Sequence, residues 1–239
     1  RPRRRDSLTD GSLSMVSLPK AFVKICGLQE PAHARAAAIH GADLLGFIFV
    51  PSRRQVTAEQ ARSCIQAARC AASRPVLAVG VFANVPVAEI HAVASEAGLD
   101  LVQLHGDEPP SVLEELSLPA IKALRPAPGT PPSEVKATIA AYQRTPKPPV
   151  AMLIDGYHPT HLGGGGIRAD WSLASELASD ATIVLAGGLD PTNVAEAIFA
   201  VHPAGVDVSS GVESHGVKDP AKIAAFIRAA KAAFESVRC

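Results

Sequence analysis

Residues 22–50, FVKICGLQEPAHARAAAIHGADLLGFIFV, contain two apolar runs separated by an alanine-rich stretch with helical period. The runs lack the regular alternation of polar and apolar residues that marks a strand with one solvated face, which favours strands buried on both faces. A strand, a helix and a second strand in this order predict two parallel strands joined by a right-handed crossover.

The same rhythm continues along the chain and predicts eight strands. The apolar runs cover residues 21–25, 44–50, 76–82, 99–104, 120–124, 150–155, 182–187 and 205–209. Eight such strands, each followed by a helix, predict a closed (β/α)8 barrel. An open doubly wound sheet is the alternative, although its first strand usually leads into a GxGxxG loop, and CGL stands here instead.

Eight helices are predicted between the strands. They are expected to begin near Gln29, Thr57, Pro86, Pro109, Pro132, Trp171, Pro191 and Asp219. Thr57 before AEQA, and Asp190 and Asp219 each before a proline, are typical residues at a helix start.

The composition is that of a folded globular domain. Hydrophobic residues make up 47% and charged residues 19% of the 239 residues, which excludes a mainly disordered chain. We assign residues 20–239 to the barrel and residues 1–19, which lack periodicity, to a flexible tail or linker. The 23 basic and 23 acidic residues balance, so net charge does not support nucleic-acid binding, and no apolar run approaches the length of a membrane helix.

Cysteine usage favours a reducing compartment. The four cysteines, Cys26, Cys64, Cys70 and Cys239, form no CxxC pair, and a chain of this length does not need disulfides. We therefore expect a cytoplasmic protein, with organellar targeting by the arginines among residues 1–5 as the alternative.

In a barrel of this kind the active site is built at the carboxyl ends of the strands. Cys26 is there as a candidate base or nucleophile, or as a small buried hydrophobe. Asp155 is a candidate general acid, or a carboxylate that caps a loop. Arg53 or Arg54 could hold a substrate carboxylate, or both could lie in a solvated loop. Three further polar residues belong to this group as candidate substrate-binding residues: Gln103, His105 and Asp207.

Glycines and serines after the last strands predict a phosphate site. AGGL at 186–189 and DVSSG at 207–211 follow strands seven and eight, where many barrels bind phosphate with backbone N–H groups. Tight turns without a ligand are the alternative. The candidate phosphate-binding residues are Gly164, Gly166, Gly187, Gly188, Ser210 and Gly211. The eight histidines suggest no metal site, because no ligand set with suitable spacing surrounds His158 and His161.

Several motifs together resemble the phosphoribosylanthranilate isomerase family. They include VKICGL (23–28), VQLHGDE (102–108), LAGGLDPTNVAEAI (185–198) and GVDVSSGVES (205–214), and the resemblance covers roughly residues 22–234. It implies a (β/α)8 barrel that acts on a small phosphosugar without a cofactor. The implied reaction converts N-(5′-phosphoribosyl)anthranilate to 1-(o-carboxyphenylamino)-1-deoxyribulose 5-phosphate, an Amadori rearrangement in tryptophan biosynthesis. It also allows the tail to be a linker from another tryptophan-pathway enzyme.

The resemblance makes Cys26 the general base and Asp155 the general acid. It assigns the substrate carboxylate to Arg54, the phosphate to the AGGL glycines with Ser210 and Gly211, and the sugar hydroxyls to Asp207. The acid must be protonated while the thiol is ionised, and both free side chains have the opposite state at pH 7. We therefore expect the surroundings to shift both pKa values.

The segment after strand six departs from the family pattern. Ala169 stands where the family has phenylalanine and Gly165 where it has a hydroxyl residue, which predicts a looser loop.

Other phosphosugar barrels are the alternative functions. Indole-3-glycerol phosphate synthase needs a lysine and paired glutamates, and ribulose-phosphate epimerase needs metal-binding His and Asp pairs. The sequence offers neither set. A barrel that has lost activity and serves as a structural module is the remaining alternative, and the intact catalytic set argues against it.

Overall fold

The computed structural model describes residues 18–157 and 166–238 of the chain. Eight parallel strands pair in sequence order, and the last pairs with the first, so the sheet closes into a barrel. The strands are β1 Phe22–Cys26, β2 Leu44–Ile48, β3 Leu77–Phe82, β4 Leu101–Leu104, β5 Ala120–Leu124, β6 Ala151–Ile154, β7 Ile183–Leu185 and β8 Gly205–Val208. The predicted closed barrel is confirmed, and the open-sheet alternative is wrong.

A helix follows each strand. The helices are α1 Pro31–His40, α2 Ala58–Ala71, α3 Val87–Ala97, α4 Val112–Glu115, α5 Pro132–Gln143, α6 Trp171–Ala178, α7 Val194–Val201 and α8 Pro220–Arg238. Between β8 and α8 the chain forms a 3-10 turn, Ser210–Val212, and a hairpin of two short strands, β9 Glu213–Ser214 and β10 Val217–Lys218.

Two of the three predicted capping residues stabilise helix starts. Thr57 accepts a hydrogen bond from the backbone N–H of Gln60, and the Gln60 side chain accepts one from the N–H of Thr57, which completes a capping box. Asp219 accepts from the first N–H groups of α8. The prediction for α7 was early by three residues, because Asp190 caps a tight turn through Thr192 and Asn193 before the helix begins.

Two separate apolar layers pack on the two faces of the sheet. Side chains alternate along each strand, so every second residue points into the barrel and the others face the helices. The inner layer is Phe22, Leu44, Val79, Leu101, Ile121, Ala123, Ala151, Leu153, Val184 and Ala186. Because these side chains fill the barrel towards its amino-terminal end, the open space lies at the carboxyl ends of the strands.

Two aspartates link neighbouring strands at the opposite, amino-terminal end of the barrel. Asp43 begins the turn into β2 and accepts a hydrogen bond from the backbone N–H of Val23 in β1 at 2.9 Å. Asp100 stands in the same position before β4 and accepts from the N–H of Ala78 in β3 at 2.7 Å. Both lie in a Gly-x-Asp-Leu sequence, so the sequence repeats where the structure repeats.

The described residues do not include most of the predicted tail. Residues 1–17 lie outside them, so the assignment of residues 1–19 as a tail or linker stays a prediction. Among the residues that are described, no helix is both long enough and apolar enough to cross a membrane.

We predict that Asp43→Ala lowers the free energy of unfolding by about 1–3 kcal/mol, because the buried N–H of Val23 loses its acceptor. Asp43→Asn keeps an acceptor oxygen and should cost less, since the ion pair that it loses joins Asp43 to a half-exposed Arg74. Urea unfolding of the three proteins checks this order. Equal losses in the two variants would show that the charge matters and the acceptor does not.

Candidate active site

A cavity of about 400 Å³ opens at the carboxyl ends of the strands. It brings together most of the residues that the sequence singled out. The predicted residues that line it are Cys26, Arg54, Gln103, His105, Asp155, Gly166, Gly187, Gly188, Asp207 and Ser210. Gly164 lies outside the described residues, and Gly211 does not line the cavity.

Cys26 ends β1 with its sulfur against Gly46 of β2. A Cβ atom on Gly46 would lie 2.7 Å from Sγ of Cys26 and 3.0 Å from its Cα, so any larger residue there would collide with the cysteine. Cys26 belongs to neither apolar layer and lines the cavity, although it is only 6% exposed. This position favours the chemical interpretation of Cys26 over that of a small buried hydrophobe.

Burial and the charges around Cys26 act on its pKa in opposite directions. Burial raises the pKa of the Cys26 thiol above its ordinary value; Lys24 and Lys218 oppose the rise, and Asp207 adds to it. Desolvation of the sulfur is the largest of these effects, and the charge of Lys24 is the largest that opposes it.

Asp155 follows β6 and forms the end of a chain of three polar side chains. Its Oδ1 accepts a hydrogen bond from the N–H of Gly156 at 2.8 Å. Its Oδ2 lies 3.4 Å from Nε2 of His105, and Nδ1 of His105 lies 2.9 Å from Nε2 of Gln103. Gln103 and His105 are thus hydrogen-bonded to each other, and Nε2 of His105 faces Asp155. Oε1 of Gln103 and Nε2 of His105 are buried and have no hydrogen-bond partner of good geometry among the residues that the structure describes.

The structure separates the two adjacent arginines. Arg54 is buried and lines the cavity, whereas the side chain of Arg53 is 52% exposed and lies outside it. Both guanidinium groups bind Glu213: Nε of Arg54 lies 2.6 Å from Oε1, and Nη2 of Arg53 lies 2.5 Å from Oε2. The second arginine is thus the one placed to meet a ligand.

Glu213 is a functional candidate that the sequence analysis missed. Its buried carboxylate also accepts from Nζ of Lys218 at 3.0 Å, and the same Nζ donates to the backbone oxygen of Ser209 at 2.7 Å. Burial alone would raise the pKa of Glu213, but Arg54, Lys218 and Arg53 lower it to about 2. The residue therefore connects Arg54 to the loop after β8. The sequence did offer a signal for Glu213, because this residue lies within the motif GVDVSSGVES.

The glycine-bearing loops meet at one corner of the cavity. Gly187 has a φ of +80°, and a Cβ there would come within 2.5 Å of the backbone nitrogen of Gly156, so the loops after β6 and β7 pack backbone to backbone. Gly166 and Ser210 line the cavity beside them. Gly211 packs against the carbonyl oxygen of Leu189, so its role in phosphate binding stays a prediction.

The departure at Ala169 does not leave its position open to solvent. Ala169 is 5% exposed and belongs to the outer apolar layer, and the next residue, Asp170, caps α6 through the N–H of Leu173. Gly165, the other departure, lies outside the described residues.

Within the described residues, no three His, Cys, Asp or Glu side chains cluster in a way that could hold a metal ion.

Most of the chain is similar to one family. A family model described as N-(5′-phosphoribosyl)anthranilate (PRA) isomerase matches residues 23–229. A protein of that name from Roseiflexus castenholzii is 48% identical over 216 residues, which cover 89% of this chain and 99% of the relative. The corresponding protein of Roseiflexus sp. strain RS-1 is 44% identical over 88% of this chain and 98% of its own length.

Solved structures agree with the sequence comparison. Phosphoribosyl anthranilate isomerase from Thermotoga maritima has a TM-score of 0.75 and 35% identity, and the match covers 89% of this chain and 99% of that one. Another structure of such an isomerase, in complex with reduced 1-(o-carboxyphenylamino)-1-deoxyribulose 5-phosphate, has a TM-score of 0.72 and 34% identity over the same shares.

We predict that Glu213→Gln destabilises the protein in a pH-dependent way. A carboxyl pKa of about 2, against an ordinary 4.5, corresponds to roughly 3 kcal/mol of stability above pH 4.5. This contribution is lost as the pH falls from 4.5 towards 2, so the difference between the two proteins should narrow in that range. Urea unfolding at several pH values from 7 to 3 measures it, with the exposed Glu114→Gln as control. A difference in unfolding free energy that stays constant with pH would contradict the low pKa that we assign to Glu213.

Proposed function

The chain belongs to the N-(5′-phosphoribosyl)anthranilate isomerase family, and from this premise we propose which of its residues carry out the reaction. The enzyme converts N-(5′-phosphoribosyl)anthranilate to 1-(o-carboxyphenylamino)-1-deoxyribulose 5-phosphate in tryptophan biosynthesis. The furanose ring must open, and a proton must then leave C2′. One acid and one base at different points of the substrate are therefore required.

Asp155 is the general acid in this proposal. Its carboxyl group donates a proton to the ring oxygen, the bond from C1′ to that oxygen breaks, and a Schiff base forms between C1′ and the anthranilate nitrogen. Asp155 lines the cavity and its Oδ2 faces His105, whose orientation is held by Gln103. One buried polar atom of Gln103 and one of His105 find no partner within residues 18–157 and 166–238, which supports a role for both residues in binding the sugar.

Cys26 is the general base. Its thiolate removes the C2′ proton, which the Schiff base has made acidic, and the resulting enolamine tautomerises to the ketone. A thiol with an ionised carboxyl carries the same net charge as a thiolate with a protonated carboxyl. The reactive arrangement thus differs from its alternative by the position of one proton within the cavity, and no net charge has to enter.

The order of the strands is the observation that carries this proposal. Cys26 ends β1, which lies between β2, whose loop bears Arg54, and β8, whose loop bears Ser210. In the substrate, C2′ likewise lies between the anthranilate carboxylate and the phosphate. We assign the carboxylate to Arg54, the phosphate to Gly166, Gly187, Gly188 and Ser210 with Gly164 and Gly211, and the sugar hydroxyls to Asp207.

We also propose that the enzyme works in the cytoplasm, because a catalytic thiol must stay reduced and reducing conditions hold there. Cell fractionation that found the protein in an oxidising compartment would overturn this location. A covalent link through residues 1–19 to another tryptophan-pathway enzyme stays a prediction.

We predict that Cys26→Ala and Asp155→Asn each slow the reaction at least about a hundredfold, the loss expected when a general base or acid is removed. The substrate is made in situ from anthranilate and phosphoribosyl pyrophosphate with the transferase, and its fluorescence is followed after the enzyme is added. Cys70→Ala changes an exposed cysteine outside the cavity and is the matched control. If a folded Cys26→Ala protein kept its activity, Cys26 would not be the base.

We predict that Gly46→Ala lowers kcat strongly, because the new methyl group displaces the sulfur of Cys26. Gly80→Ala is the matched control, since a Cβ there would also collide, within 2.4 Å, but with Leu99 on the side of the sheet that faces the helices. Both substitutions should reduce stability through overpacking. Kinetics together with urea unfolding would contradict the idea if both variants lost kcat in proportion to their stability.

A further inference from the structure

A buried ion pair lies inside the barrel directly beneath the proposed base. Lys24 of β1 is fully buried, and its Nζ lies 3.0 Å from Oδ1 of Asp207 in β8. The two residues are register partners in adjacent strands. The proposed reaction gives Lys24 no part, although it is the charged residue on the same strand as Cys26.

Lys24 is placed to act on the sulfur. Lys24 and Cys26 are two residues apart on β1, so their side chains point to the same face of the sheet, into the barrel. The ammonium of Lys24 donates a hydrogen bond to Asp207 at 3.0 Å, and its charge also acts on Cys26. Because Gly46 contacts Sγ on another side, the sulfur is held between a backbone and a positive charge.

The charge of Lys24 persists in this environment. Burial lowers the pKa of Lys24, but Asp207 and Cys26 together raise it above its ordinary value. Lys24 is consequently a buried cation on the same face of β1 as the Cys26 sulfur. An ammonium inside an apolar barrel is costly, and a pair with Asp207 alone would do no more than offset that cost. The position of Lys24 two residues before Cys26 gives the pair a second effect, on the ionisation of the sulfur.

We propose that Lys24 is a positioning residue of the isomerase, whose ammonium orients the Cys26 sulfur and stabilises it as a thiolate when the C2′ proton is taken. This proposal rests on the proposed role of Cys26 as the base. Asp207 tunes the effect, because it competes with the thiolate for the same ammonium group. The other charged or titratable groups of the described cavity and its wall are Lys218, Glu213, Arg54, His105 and Asp155.

The two members of the pair should move the ionisation of Cys26 in opposite directions. Thiolate absorbance at 240 nm is titrated for each protein, and the titration of the same protein with Cys26→Ser is subtracted. Lys24→Met should raise the midpoint by about one pH unit or more, since it removes the stabilising charge and leaves Asp207 unpaired. Asp207→Asn should lower the midpoint, because the thiolate then replaces the carboxylate as the counter-ion of Lys24.

Lys122→Met is the matched control for removing a buried lysine. Lys122 is 1% exposed and binds Glu108 at 2.8 Å and the carbonyl oxygen of Gly106 at 2.6 Å, but it does not line the cavity. This variant should lose stability and keep the Cys26 midpoint. An unchanged midpoint in Lys24→Met, or shifts of the same sign in both members of the pair, would overturn the proposal. If Lys24→Met does not fold by circular dichroism, the sign of the Asp207→Asn shift decides.

Kinetics separate this inference from the proposed function. Lys24→Met should lower kcat at least about tenfold with little change in KM, because it acts on the base and not on binding. Activity that survives in Cys26→Ala would refute the role of Cys26 as base whatever the midpoints are. Loss of activity in Cys26→Ala with an unmoved midpoint in Lys24→Met would refute only the role of Lys24.

Discussion

Closure of eight parallel strands, with side chains that alternate between the two faces, is the constraint on which the rest of this structure depends. It sends every second side chain of every strand into one enclosed space, where large apolar residues fill the lower part. Cys26, Gln103 and Asp207 therefore meet at the upper end although they are far apart in sequence. The same closure forces the loops after β6, β7 and β8 together, and Gly187 lets two of their backbones touch.

Several charged residues of the site are buried and paired with one another. Glu213 binds three cations, and Lys24 is paired with Asp207 inside the barrel. Buried charges cost free energy unless each has partners, so these networks couple the stability of the barrel to the arrangement of the cavity. They also hold Arg54 in one orientation, which spares the substrate the entropy cost of ordering it.

The architecture followed from the sequence because strand and helix patterns are local. All eight strands were predicted, and Thr57 and Asp219 cap helices as their types suggested. The sequence missed that α4 is only four residues long and that α7 begins at Val194, since a proline after a polar residue starts turns as readily as helices. Gly46 and Glu213 were missed because their importance lies in contacts with residues distant in the chain.

The sequence by itself determined the barrel, the family and the two residues proposed for catalysis, because strand periodicity and ordered motifs are properties of the chain. Only the tertiary structure decided which of the adjacent arginines enters the cavity, since Arg53 and Arg54 differ in the direction that the loop gives each of them. It also decided which groups act on the pKa of Cys26, where burial opposes the charges of Lys24 and Lys218. Their balance depends on how completely water is excluded and on where the two lysines lie, and both depend on the packing of distant segments.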